Sequence, residues 1–222
     1  WSAVGGQSTA FFGLSVSKAG DVNGDGYSDV IIGANKYTNG QTDEGKIFVY
    51  HGSSSGLSGS PNWTAESDQA TARFGVSVAT AGDVNGDGYS DILAGARLFD
   101  NGESDEGIAF VWYGSSSGLG PNGLPSNADW SAEGNQATAY FGYSVSAAGD
   151  VNGDGYSDII IGAYNYNSGS GKVFVYNGSS AGPSLNPDWT AENGQVHSEF
   201  GYSVFTAGDV NGDGFSDVIV GA

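Results

Sequence analysis

One nine-residue segment, D-V-N-G-D-G-Y-S-D, starts at Asp21, Asp83 and Asp150, and returns at Asp209 with Phe in place of Tyr. Four near-identical copies, spaced by 62, 67 and 59 residues, demand a fold made of one unit repeated. The flanks repeat in the same order. Phe-Gly stands before each copy, at Phe12, Phe74, Phe141 and Phe200. Gly-Ala stands after it, at Gly33, Gly95, Gly162 and Gly221. A tryptophan recurs at Trp1, Trp63, Trp130 and Trp189.

Each unit reads as four strands. The first is F-G-x-S-V, as in Phe141 to Val145. The second is D-V-I-I-G-A, as in Asp29 to Ala34. The third is K-I-F-V-Y (Lys46 to Tyr50), with counterparts Ile108 to Tyr113 and Lys172 to Tyr176. The fourth is W-T-A-E, as in Trp63 to Glu66. These runs are short, rich in β-branched and aromatic residues, and bounded by Gly, Ser, Asn and Pro. No segment holds a helical period. Four strands in about 60 residues is the size of a propeller blade. The expected fold is all-β, a propeller of four-stranded antiparallel blades, with three full blades and part of a split one. The small residues of strand one suit the crowded axis. The Phe series suits the seams between blades, and the Trp series reads as blade-packing core. The repeat units are 1–62, 63–129, 130–188 and 189–222 within a single domain spanning 1–222. The chain opens on a fourth strand and ends after a second. More chain, another subunit or a three-stranded blade could therefore close the ring, and the blade number stays open. No methionine and no signal peptide are present, as in a processed chain or a fragment.

The loop itself carries the chemistry. Oxygen side chains fall at positions 1, 3, 5 and 9, and position 7 can offer its carbonyl. Gly at position 6 permits the sharp turn. This is a donor set of hard oxygens suited to calcium. The candidate ligands are Asp21, Asn23, Asp25, Tyr27 and Asp29; Asp83, Asn85, Asp87, Tyr89 and Asp91; Asp150, Asn152, Asp154, Tyr156 and Asp158; and Asp209, Asn211, Asp213, Phe215 and Asp217. Four Ca²⁺ sites follow, one per loop. Twelve of the 25 acidic residues lie here, and four ions would move the net charge from −19 to −11. An Asx-rich turn without metal is the plainer alternative, but turns do not need three acids at alternate positions four times over. A dockerin-type loop shares D-V-N-G-D-G but has twelve positions and leads into a helix. Here position 9 runs into a strand. All donors come from one loop, so the ion is read as structural.

The remaining composition excludes more than it includes. Six scattered basic residues (Lys18, Lys36, Lys46, Arg73, Arg97 and Lys172) cannot form the positive stripe that nucleic acid needs. They give no hold on an anionic membrane, and no apolar run is long enough to insert. Cysteine is absent, which removes thiolate metal sites and cysteine nucleophiles. No catalytic set is visible. His51 and His197 lie in different repeats and read as solvated loop residues. The acidic pairs Asp43-Glu44 and Asp105-Glu106 read as solvated loop tips. The chain is expected not to be an enzyme.

Phe-Gly, the acidic loop and Gly-Ala in fixed order resemble FG-GAP repeats, the units of the integrin α-subunit propeller. The pattern covers nearly the whole chain. Asn35, Arg97 and Tyr164 stand where the motif has Pro. The near-identity of the units is more similar to bacterial FG-GAP proteins than to animal integrins. The resemblance implies calcium in the hairpin between strands one and two. It also implies a ligand face on the opposite side, formed by loops 35–45, 97–107 and 164–171 with 67–73, 134–140 and 193–199. Tyr37, Phe99, Tyr164 and Tyr166 are the expected exposed aromatics there. An extracellular or cell-surface adhesion module with a protein or glycan ligand is the leading expectation. A carbohydrate-active propeller or lectin and a surface-filament repeat are the alternatives.

Overall fold

The computed structural model describes residues 1–222. It contains fourteen strands and two short turns of helix, Pro125–Asn127 and Tyr166–Gly169. No helix is long and apolar enough to cross a membrane. The first sheet is β1 (Ser15–Gly20), β2 (Asp29–Ala34), β3 (Lys46–Tyr50) and β4 (Trp63–Glu66). The second is β5 (Phe74–Gly82), β6 (Asp91–Ala96), β7 (Ile108–Trp112) and β8 (Trp130–Glu133). The third is β9 (Ser144–Gly149), β10 (Asp158–Ala163), β11 (Lys172–Tyr176) and β12 (Trp189–Glu192). A two-stranded sheet of β13 (Ser203–Gly208) and β14 (Asp217–Gly221) follows. Every sheet is an antiparallel meander in chain order. The first strands β1, β5, β9 and β13 pack on one another in sequence. They line a central cavity of about 450 Å³ through Ser15, Ser77, Ser144 and Ser203 and their neighbours. This is the arrangement of propeller blades about an axis.

The second and third strands of the three full blades form with both faces covered. In β2, Ile31 faces the second blade while Ile32 faces the other side. β3 does the same with Ile47 and Phe48. That is why the second strands read as unbroken apolar runs, without polar alternation. Phe74 and Phe141 are fully buried at the seams. Phe74 meets Phe110 and Trp112 edge-on at centroid distances of 6.0 Å, and Phe141 meets Phe174 at 5.1 Å. Phe12 and Phe200 are only half-buried, since each has a blade on one side alone.

Phe-Gly itself belongs to a turn in three of the four copies, and the first strand begins at Ser15, Ser144 and Ser203. The expected strand therefore starts later and runs on to the Gly before the loop. The residues preceding Phe (Phe11, Arg73, Tyr140, Glu199) have left-handed backbones, as do the glycines after it, so the chain turns there; in β5, which does start at Phe74, the pairing jumps from Phe74 to Ser77. Each first strand also carries one extra residue, Ala19, Ala81, Ala148 or Ala207, opposite the second strand. The bulge re-aims the chain into the acidic loop.

The two glycine motifs meet across the seams. A side chain on Gly33 would overlap the Gly75 carbonyl oxygen of the next blade. Gly95 bears the same relation to Gly142, and Gly162 to Gly201. Gly-Ala of one blade thus sits backbone-to-backbone against Phe-Gly of the next. The tryptophans also bridge forward. Trp63 stacks edge-on to Trp112 and donates its Nε1–H to the Pro121 carbonyl at 2.7 Å. Trp130 stacks on Tyr176 and donates to the Ser184 carbonyl at 3.0 Å. Both are buried. Trp1 and Trp189 depart from the core reading, being 59% and 48% exposed. Trp1 lies on Tyr50 but outside any strand, with no third strand to pair with. Trp189 faces a sheet that has two strands and offers it no third.

Gly95→Ala places a methyl where only a fixed carbonyl can yield, so it should lower stability by at least about 2–3 kcal/mol. Gly59→Ala, where a methyl meets nothing, should leave the melting temperature within a degree or so. Equal melting of the two variants would contradict the seam contact.

Candidate metal centres between strands one and two

All four acidic loops sit on one end of the blades, each closing the hairpin between the first and second strands. Their internal bonding is the same. In the second loop, Asp83 Oδ1 accepts the N–H groups of Gly86 (2.7 Å) and Asp87 (3.1 Å), and Oδ2 accepts that of Gly88 (2.9 Å). Asn85 Oδ1 accepts from Asp87 N, and Asp87 Oδ1 from Tyr89 N, both at 3.0 Å. The first loop repeats this with Asp21, Asn23 and Asp25. The third uses Asp150, Asn152 and Asp154, and the fourth Asp209, Asn211 and Asp213. Gly24, Gly26 and their counterparts take positive φ, which lets successive N–H groups turn inward. Backbone donors, Gly214 first, hold the Asp209 carboxyl below the usual carboxylate range.

Position 9 behaves differently. Asp29, Asp91 and Asp158 are fully buried. Asp91 Oδ2 accepts Val84 N–H and Oδ1 accepts Gly114 N–H, each at 2.9 Å. Asp29 does this for Val22 and Gly52, and Asp158 for Val151 and Gly178. One carboxylate therefore ties the loop to the connection after the third strand. Burial pushes Asp91 up to about 7, and the nearby carboxylates of Asp87 and Asp83 add to the rise against the two N–H donors. Asp158 rises to about 6 for the same reasons. Asp29 is also raised, chiefly by burial. Each carboxylate oxygen has lone pairs left after these bonds, so donation to a cation remains open. A cation there would reverse the repulsion. The loop carboxylates are not gathered as tightly as three acids elsewhere, Glu44, Glu66 and Asp68.

The loops also join neighbouring blades, through the serine at position 8, which is not among the candidate ligands, and the side chain at position 7. Ser90 N–H donates to the Asp21 carbonyl, while Asp21 N–H donates to Ser90 Oγ. Ser157 and Asp83 repeat the exchange, and Ser216 N–H donates to the Asp150 carbonyl at 2.8 Å. The ring at position 7 covers the glycine at position 4 of the preceding loop: Tyr89 over Gly24, Tyr156 over Gly86, Phe215 over Gly153. Phe215 fills this place without a hydroxyl. The signal was present in the sequence as an invariant Ser at position 8 and an aromatic at position 7.

Several other expectations need correction. His51 is not solvated. It is half-buried, with Nδ1 3.2 Å from Asn23 Nδ2 of the first loop. His197 is exposed, as expected. Glu44 and Glu106 are buried because each carboxylate closes its own loop by accepting backbone N–H groups. Asp43 is paired with Arg73 at 2.9 Å. Of the four aromatics on the opposite face, Tyr37, Phe99 and Tyr166 fold back, half-buried, onto Phe48, Phe110 and Phe174 of the third strands. Tyr164 instead joins Tyr140, Tyr143 and Tyr202, with Arg97 beside them.

Comparison with known proteins agrees with this layout. The model described as "FG-GAP repeat" matches residues 141–176 and 200–222, and that described as "FG-GAP-like repeat" matches 21–94. This chain belongs to the FG-GAP repeat family. It is 35% identical to integrin alpha-V of Gallus gallus over 220 residues, which is 96% of this chain and 20% of the relative. It is 34% identical to integrin alpha-PS2 of Drosophila melanogaster over 192 residues, 79% of this chain and 13% of the relative. Integrin alpha-IIb of Mus musculus is 38% identical over 159 residues, 70% of this chain and 15% of that protein. The FG-GAP chain thus spans a fifth or less of each relative's length.

Asp91→Asn leaves one of two buried N–H groups facing an amide donor. It should cost about 1–3 kcal/mol in urea unfolding even in excess chelator. Asp87→Ala, at an exposed position, should cost no more than about 1 kcal/mol under the same conditions. A neutral Asp91→Asn would show that the position-9 clasp does not hold the loop.

Proposed function

We propose that this chain is an extracellular, calcium-stabilised β-propeller module for adhesion or ligand binding, with one structural Ca²⁺ in each of the four loops. The observation that carries the reading is the fourfold recurrence of one donor set, which in the first three loops surrounds a fully buried aspartate, Asp29, Asp91 or Asp158, whose carboxyl burial pushes up, to about 7 at Asp91. A cation turns that unfavourable cluster into a favourable one. The ligands would be Asp21, Asn23, Asp25, the Tyr27 carbonyl and Asp29, and the equivalent residues of the other loops. Bound calcium would supply folding free energy by linkage, since the unfolded chain has no such site.

Similarity to integrin α-subunits supports a cell-surface setting and a protein ligand. The face opposite the loops is where we place that ligand. There the half-buried rings of Tyr143 and Tyr164 and the exposed ring of Tyr202 form one patch with Arg97, on connections held by the rigid blades. Such a patch also suits a glycan. The chain is read as one propeller segment over 1–222 and as a binding module, not an enzyme: His51 and His197 lie in different blades.

Calorimetric titration with Ca²⁺ tests the metal reading. Asp87→Ala should take up one equivalent fewer than the unaltered chain. An unchanged stoichiometry would remove Asp87 from the ligand set.

A further inference from the structure

Glu44 lies one residue before the end of the connection between β2 and β3, Glu66 is the last residue of β4, and Asp68 lies two residues further on. They stand on the opposite face from the four loops. One carboxylate oxygen from each lies within 4.8 Å of one from each of the others. Ligands 2.3–2.6 Å from one calcium ion are separated by at most about 5 Å, so the spacing suits a shared ion.

The decisive atom is Glu44 Oε2. Glu44 is fully buried. Its Oε1 accepts the Asn39 N–H at 2.6 Å, but Oε2 is buried with no partner. A buried acceptor left unmatched is costly, and more so if charged. Burial, reinforced by Glu66 and Asp68, pushes the carboxyl up.

The second blade supplies an internal comparison. Glu106 occupies the equivalent place and is likewise buried. Its Oε1 accepts from Asn101 (2.8 Å) and Glu103 (3.2 Å), and its Oε2 accepts the N–H of Asn135 at 3.1 Å. Asn135 is the counterpart of Asp68, and both adopt left-handed backbones, with φ of 51° and 54°. The same scaffold thus satisfies the glutamate by backbone in one blade. In the other it leaves an oxygen free where the neighbouring side chain is a carboxylate. The third blade has Ser170 and Gly194 at these places and no acid at either.

Charge points the same way. Three carboxylates give −3, and the Lys46 ammonium paired with Glu66 returns +1, leaving −2. One divalent cation balances that. Lys46 is itself held over the Tyr37 and Phe48 rings. In the second blade Ile108 replaces it and the acids number two, Glu106 and Glu133, so the same −2 stands there, but with both Glu106 oxygens already satisfied by N–H groups. Hard oxygen donors without nitrogen or sulfur favour calcium or a similar ion over a soft metal.

We propose that Glu44, Glu66 and Asp68 form a further cation site, for one hard divalent ion of the calcium class, unique to the first blade and separate from the four loops. The ion ties the β2–β3 connection to the β4–β5 connection. The site stands independently of the loop reading.

Crystals of the chain grown with Mn²⁺ and measured for anomalous scattering test it. The expected result is a peak within about 2.0–2.6 Å of oxygens from all three residues. In Asp68→Asn, which copies Asn135 and so preserves the fold, that peak should vanish while any peaks in the four loops persist. Glu44→Gln should give the same loss. Two results would overturn the proposal: no peak among the three residues in the unaltered chain, or a peak that survives Asp68→Asn. Peaks in the loops are scored separately, so either reading can fail alone.

Discussion

The structure depends on carboxylates that gather backbone N–H groups at the turn between the first and second strands. Asp83 collects three from its own loop, and Asp91 collects one from that loop and one from the connection after the third strand. The turn is thereby fixed to its own blade. The Asp83 carbonyl, exchanged with Ser157, fixes it to the next blade as well. Loosening one loop therefore loosens two blades. The arrangement concentrates negative charge at one end of a chain that is already at −19. Polar satisfaction and charge repulsion act in opposite directions there, and the proposed divalent cation would resolve them together.

At the other end of the second strand the constraint is steric. Gly95 and Gly142 touch backbone to backbone, leaving no room for a side chain. Large rings fill the space on either side, Phe74 against Phe110 and Trp112 in one seam and Phe141 against Phe174 in the next. Close backbone approach and aromatic packing are thus alternated along each seam. A family defined by Phe-Gly and Gly-Ala is defined by the two halves of one contact.

Much of this was legible in the sequence. In the three full blades the second and third strands stand where their apolar patterns place them, because both faces are covered and the pattern has no competing reading; the W-x-A-E runs from Trp63, Trp130 and Trp189 form fourth strands, but Trp1, read as opening one, lies in none. Three of the four first strands were misplaced, since the left-handed backbones beside Phe12, Phe141 and Phe200 depend on the neighbouring blade, which a local pattern does not contain; β5 alone starts at its Phe. The exposure of Trp1 and Trp189 was hidden for the same reason: burial is a property of the next blade, not of the residue. Glu44 and Glu106 looked like solvated loop acids because charge predicts exposure unless a partner is known. Their partners are N–H groups, which leave no mark in a sequence. The loop residues came out together as recurring clusters, while the roles of Ser90 and Tyr89 lay between repeats and needed coordinates.

These constraints make the blades mutually dependent and leave the connections on the opposite face free to vary. Loop lengths and the Tyr143, Tyr164 and Tyr202 patch differ between blades, while the acidic loops hardly differ at all. Thermal melting of the chain with calcium present and then removed by excess chelator is the most direct test of this account. The account predicts a large fall in melting temperature that calcium restores. A melting temperature unchanged by chelation would contradict it.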